Sequence, residues 1–156
     1  MRLLALAALL LGGCAVAPVE SKLPASASVE VVKATFGLFN RQGTDKPSFV
    51  PSNVVPLVVD QSYGWVMLIK TDASTVRWRE EFTLPAAPAT WGGPERIGTR
   101  AMSDDGRTMI TEREVAPRHG LIFNLWSVAA GDPAGAYRMR VSIDGHWVHT
   151  FEFQVR

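Results

Sequence analysis

The chain has 156 residues, 47% hydrophobic and 20% charged, with 16 basic and 15 acidic side chains. That is the composition of an ordinary globular domain rather than a disordered chain, and a formal charge of +1 gives no support for nucleic-acid binding or a polybasic membrane surface. The length allows one domain, and the one cysteine, Cys14, leaves no pair for a disulfide, so the fold must rest on its core.

Arg2 supplies a positive start, Leu3 to Leu11 is a run of Leu and Ala, and the small residues Gly12 and Gly13 precede Cys14. This is the order of a signal peptide. A membrane span needs roughly 20 apolar residues, and Pro18, Glu20 and Lys22 end the run too early. Leu11-Gly12-Gly13-Cys14 has the form of a lipobox and resembles the bacterial lipoprotein family cleaved by signal peptidase II. The resemblance implies cleavage between Gly13 and Cys14, removal of residues 1–13, and a diacylglycerol on Cys14, often with an N-acyl chain such as palmitate. Each buried CH₂ adds about 0.8 kcal/mol, and more than one chain makes the anchor durable. Ala15, in place of Asp, after the cysteine favours the outer membrane, periplasmic side, under enterobacteria-like sorting. Without Arg2 the basic and acidic side chains balance.

Residues 14–28 hold no aromatic residue and no hydrophobic period, so they read as the lipidated cysteine and a flexible tether, with a reach of roughly 45 Å when extended. Residues 29–156 form the folded domain, and there the period is two. Val29 to Asn40 is rich in β-branched and aromatic residues, with Gly37 as a bulge or point of close approach. Val54 to Asp60 is apolar, but Pro56 confines it to an edge or bulge. Ser62 to Thr71 is apolar on both faces. Val76 to Leu84 alternates, with Val76, Trp78, Glu80, Phe82 and Leu84 on one face and Arg77, Arg79, Glu81 and Thr83 on the other.

Pro85 to Pro94 is a long loop or crossover, because its prolines and glycines forbid a central strand. Ser103-Asp104-Asp105-Gly106 is a tight turn into a strand over Thr108–Val115. Gly120 to Val128 is again apolar on both sides. In the last pair Tyr137, Met139, Val141 and Ile143 face inward, Asp144-Gly145 turns the chain, and Trp147, Phe151, Phe153 and Val155 return. Seven to eight such strands predict an all-β fold, an antiparallel β-sandwich. Asp132, Gly135 and Tyr137 have the spacing of a structural corner in which a tyrosine hydroxyl returns to the connecting loop; a Pro-Gly turn before an inward tyrosine is the alternative.

Val55-Pro56 with Tyr63-Gly64-Trp65, then Phe82-Thr83-Leu84-Pro85, then Gly135-Ala136-Tyr137 to Phe151-Glu152-Phe153 resemble a family of uncharacterised secreted bacterial proteins with an immunoglobulin-like sandwich, a domain of unknown function. A glycine of that family falls near Asp60. The resemblance implies fold and export, and it brings no catalytic residue and no cofactor.

The chemistry is sparse. His146 and His149 project to opposite strand faces unless a bulge intervenes, His149 falls on the core-facing side, and His119 begins a strand. No nucleophile elbow, zinc-protease helix or phosphate loop is present. Glu80-Glu81, Asp104-Asp105, Glu112 and Glu114 have strand-face or turn explanations, so no catalytic, metal or cofactor site is assigned.

Two features point toward binding. Residues 62–70 and 120–128 are apolar on both faces, which requires a cover, and the Pro85–Pro94 loop is a more economical cover than a partner protein. Arg77, Arg79, Arg138 and Arg140 face outward and would form an interaction patch on neighbouring strands, or a solvated face of mixed charge. The expectation is a membrane-anchored periplasmic lipoprotein, non-catalytic, working through another envelope protein. A small-ligand carrier would instead hold its ligand in a cavity lined by Trp65, Trp78 or Trp126. An enzyme would need a dispersed site with a perturbed carboxylate near a histidine.

Overall fold

A computed structural model describes residues 28–40, 48–92 and 99–156. The leader, Gly13, Cys14 and the tether before Ser28 lie outside the described residues. One layer is a four-stranded sheet of β1 (Glu30–Asn40), β2 (Ser48–Pro51), β4 (Ser62–Lys70) and β8 (Leu121–Ser127), in the order β2-β1-β4-β8. The other is a six-stranded sheet of β3 (Val54–Val55), β5 (Val76–Thr83), β6 (Thr99–Met102), β7 (Thr108–Val115), β9 (Gly135–Ile143) and β10 (His146–Val155), in the order β3-β10-β9-β5-β7-β6.

The fold is the expected sandwich, with ten strands among the described residues rather than seven or eight. The two that period-two patterning does not reveal, β2 and β6, are four-residue edge strands, too short to establish a period. The segment expected as a strand over 54–60 keeps only Val54 and Val55, which lie parallel to the end of β10. Pro56 lacks an N–H for a further rung. Asp60 then turns the chain at φ 69°, in the left-handed region that favours glycine and tolerates aspartate.

Strand alternation brings aromatic rings of both sheets together. Phe36 of β1 stacks on Phe153 of β10 at 4.1 Å between ring centres, and Trp65 of β4 meets Trp78 of β5 edge-on at 5.4 Å. Gly37 is a point of close approach: a Cβ there would lie 2.3 Å from the Val50 carbonyl oxygen. The irregularity in β1 falls elsewhere, between Val31 and Lys33. Asp144 and Gly145 both adopt positive φ, 48° and 84°, as a two-residue hairpin of the primed type requires.

One face assignment changes. Trp147 was expected inside, but a bulge between Trp147 and His149 places it opposite Ser142 on the outer face. There Arg140 covers its ring at 4.0 Å. Half-buried Val148 packs toward the core instead. An extra residue breaks strict alternation, and alternation was the only basis for placing Trp147 inside.

Candidate functional site

The unusual part of the interior is built on Glu80. β5 buries Val76, Trp78, Glu80 and Phe82 as its inward face, so a carboxylate is carried into the core between two aromatic rings. The facing sheet answers with donors. Trp65 Nε1 donates to Glu80 Oε2 at 2.5 Å, while Trp126 Nε1 and Asn124 Nδ2 donate to Oε1 at 2.7 and 3.1 Å. Desolvation nevertheless dominates and raises the Glu80 carboxyl above its ordinary range, against the pull of these three hydrogen bonds and the Arg113 charge.

Polar side chains cluster around this acid. In the register of the six-stranded sheet Arg100 of β6 lies opposite Thr111 of β7, and Thr111 lies opposite Glu80 of β5. Trp65 and Asn124 are opposite one another on the other sheet. Between the layers a cleft of about 310 Å³ opens, with Thr111, Arg100, Arg113 and Asn124 on its polar side and Trp91 and Trp126 among its aromatic walls. Arg100 is held by a hydrogen bond from Nη2 to the Trp91 carbonyl at 3.2 Å, and its guanidinium covers Trp126 at 5.1 Å. Among the described residues, Thr111 Oγ1 is buried without a hydrogen-bond partner.

Of the tryptophans expected around a cavity, Trp126 lines the cleft, whereas Trp65 and Trp78 are wholly buried in the core. Trp91, from the proline-rich loop, is the aromatic wall not anticipated. The signal for the rest was present: Glu80 was already placed on the inward face between Trp78 and Phe82. Glu80 and Glu81 do point apart as adjacent strand residues, but a solvated strand face accounts for outward Glu81 and not for buried Glu80.

Arg77, Arg79, Arg138 and Arg140 do lie on neighbouring strands, since β5 pairs β9 with Glu81 opposite Arg140 and Thr83 opposite Arg138. They do not form a simple basic patch. Arg79 pairs with Glu81 at 2.8 Å and Glu112 at 3.2 Å, Arg140 with Glu81 at 3.5 Å, and Arg77 with Glu114 at 3.6 Å. The surface is a ladder of mixed charge, and such exposed pairs contribute little individually.

At the corner, Asp132 Oδ2 accepts from the Ala129 N–H at 2.9 Å, and the Tyr137 hydroxyl donates to the Pro133 carbonyl at 2.7 Å, with Gly135 at φ 138° between them. His119 occupies a turn at φ 52°. His149 shares the inward-facing register of Val141 but is exposed, with its ring against Phe151. Among the described residues no three His, Cys, Asp or Glu side chains converge to hold a metal ion.

The outer face of the four-stranded sheet also differs from expectation. Leu121, Phe123 and Leu125 of β8, with Leu68 of β4, are exposed, Phe123 at 57%. The described part of the proline-rich loop, residues 85–92, turns its tryptophan the other way: Trp91 packs edge-on against Phe82 and Trp126, on the inner side of β8. A tryptophan drawn to the aromatic cleft buries more apolar area there than on an open sheet face.

Fold and site together define an immunoglobulin-like β-sandwich domain. Residues 34–156 match the PM0630 beta sandwich domain, and the chain belongs to that family. It is similar to an immunoglobulin-like protein from Pseudomonas aeruginosa, with a TM-score of 0.59 and 13% identity over 83% of this chain and 98% of the other. At that identity the likeness shows the fold alone. No curated protein sequence matches the chain.

Proposed function

We propose that this is a lipoprotein anchored through Cys14 to the bacterial envelope, whose sandwich is a non-catalytic module that docks another envelope protein. The observation that carries the reading is the exposed stripe of Leu68, Leu121, Phe123 and Leu125. Three of the four lie on β8, the terminal strand of its sheet, with Leu68 of β4 beside Leu121, and Leu121 to Ser127 contains no charged residue. An uncharged apolar edge is what natural sheets avoid unless something pairs with it. The partner that fits is a protein offering an extended, alternating apolar segment, which would add to the β8 edge and cover the stripe.

The test uses the full chain in cells, tagged at the C-terminus, cross-linked and extracted in mild detergent. The expected result is a stoichiometric partner that is lost with Phe123→Glu, although that variant folds with a stability change within about 0.5 kcal/mol because the site is exposed. Cys14→Ser should lose both the membrane fraction and the partner. A solitary protein, or a partner indifferent to Phe123→Glu, would overturn the docking reading.

A further inference from the structure

The two ends of the sandwich are built from different residues. At the end where β1 begins, Glu30 lies opposite Lys70, and the connections there expose Asp72, Arg118, His119 and Asp144. At the other end the Asp60 N–H donates to the Val128 carbonyl, which sets residues 56–61 beside 128–134. There Leu57, Val58 and Val59 are exposed in succession, at 41, 62 and 55%. Pro51 to Val59 contains no charged residue, and Ala130 and Ala134 are exposed in the neighbouring loop. The acidic Asp104-Asp105 turn shares this end only at the β6 edge, across the six-stranded sheet from β3. Three consecutive exposed apolar residues on a connection are a fault unless they have a use.

The backbone of this tip suits surroundings poor in water. Of the five N–H groups of residues 57–61, four are hydrogen-bonded: Leu57 to the Arg156 carbonyl at 2.9 Å, Val58 to Pro56 at 2.8 Å, Asp60 to Val128 at 2.9 Å and Gln61 to Val58 at 3.0 Å. Pro56 has no N–H to satisfy. Backbone that carries its own hydrogen bonds enters lipid at lower cost than open loop backbone. The side chains favour lipid over a second protein, because protein hot spots draw on Trp, Tyr and Arg and are poor in Leu and Val. The tether is long enough as well. Residues 14–28 reach roughly 45 Å when extended, and the 11 residues of β1 rise about 36 Å. We propose, resting on the Cys14 anchor inferred above, that Leu57, Val58 and Val59 enter the headgroup–acyl boundary of the bilayer that holds the Cys14 lipid. The anchor keeps the tip at high local concentration, so weak insertion suffices, and the tip sets the orientation. The strands then stand steep to the membrane, and the β8 edge faces sideways, open to its partner.

The test uses the full chain purified from bacterial membranes and reconstituted in phosphatidylcholine vesicles. Mass spectrometry first reads the acylation of Cys14. Because Cys14 is the one cysteine, Val58→Cys then supplies a single free thiol for a nitrobenzoxadiazole fluorophore. The label at 58 is expected to shift its emission to the blue and to lose intensity when the vesicles carry a lipid with a nitroxide high on its acyl chain. Labels on Ser74→Cys, at the polar end, and on Phe123→Cys, on the stripe, should do neither. Val58→Asp with the label on Val59→Cys should return the emission to its position in water, with an unchanged thermal unfolding curve. With Cys14 acylated, a label at 58 that responds no more than one at 74 would overturn the insertion and leave the anchor standing. Quenching at 123 as strong as at 58 would lay the stripe on the bilayer and overturn the orientation. A chain with no acyl group on Cys14 would overturn the anchor, and the two-point attachment with it.

Discussion

Trp126 and Glu80 belong to opposite sheets, and the indole Nε1 of Trp126 donates to Glu80 Oε1 at 2.7 Å across the sandwich. With Trp65 on the second oxygen, the carboxylate ties β5 to both β4 and β8. It therefore fixes one wall of the cleft as well as the spacing of the layers.

Glu80→Gln tests that tie. The amide keeps the shape but turns an N–H₂ group toward at least one of three donors, so donor meets donor. A loss of about 2 kcal/mol at neutral pH is expected, read as a lower urea midpoint at unchanged slope. Unchanged stability would show that the three donors do not depend on the carboxylate.

The same residue predicts a pH dependence. Burial raises the Glu80 carboxyl above the ordinary value of 4.5 despite its hydrogen bonds. The folded chain then binds this proton more tightly than the unfolded chain. Its contribution is complete below the unfolded value and is lost as pH rises through the folded one. Glu80→Gln does not titrate there, so the stability of wild type over Glu80→Gln should shrink as pH is raised above 4.5. Paired denaturation curves that keep a constant gap, or widen it, would contradict this order of effects.

Gly64 sets the approach of β4 to β8. A Cβ there would lie 2.1 Å from the Asn124 carbonyl oxygen, a backbone atom that cannot turn aside. Elsewhere in a strand, Gly→Ala would gain about 0.5–1 kcal/mol; here overpacking should reverse the sign and cost about 1–3 kcal/mol. Because Asn124 and Trp126 move with β8, the indole N–H resonance of Trp126 should also shift in Gly64→Ala. A more stable variant with an unmoved Trp126 would refute the close contact.

Tyr137→Phe removes only the hydroxyl that donates to the Pro133 carbonyl at 2.7 Å. The ring stays packed between Phe82 and Phe153. About 1 kcal/mol should be lost, measured by thermal unfolding, with no change in fold.

Much of the fold was legible as alternation. Inward Tyr137, Met139, Val141 and Ile143, the Asp144-Gly145 turn, and the corner residues Asp132 to Tyr137 all follow from local spacing and turn chemistry. Trp147 was misplaced because a bulge is set by strand pairing, which no single strand records. The arginines were seen to face outward with Glu81 among them, but only the pairing of β5 with β7 and β9 put Glu112 and Glu114 beside them and Glu81 opposite Arg140. Thr111 and Asn124 gave little warning, since a lone polar residue on one face of a strand is common.

The sequence by itself determined the strand faces other than that of Trp147, the hairpin, the corner and the lipobox form ending at Cys14, because each depends on residues a few positions apart. Only the tertiary structure decided that Glu80, Thr111 and Arg100 form one row and that Trp65, Asn124 and Trp126 face it. It also decided that Trp91 lines the cleft and that Phe123 is exposed. Those relations join strands far apart in the chain, and they depend on sheet order, register and where buried area is greatest, none of which a period of two encodes.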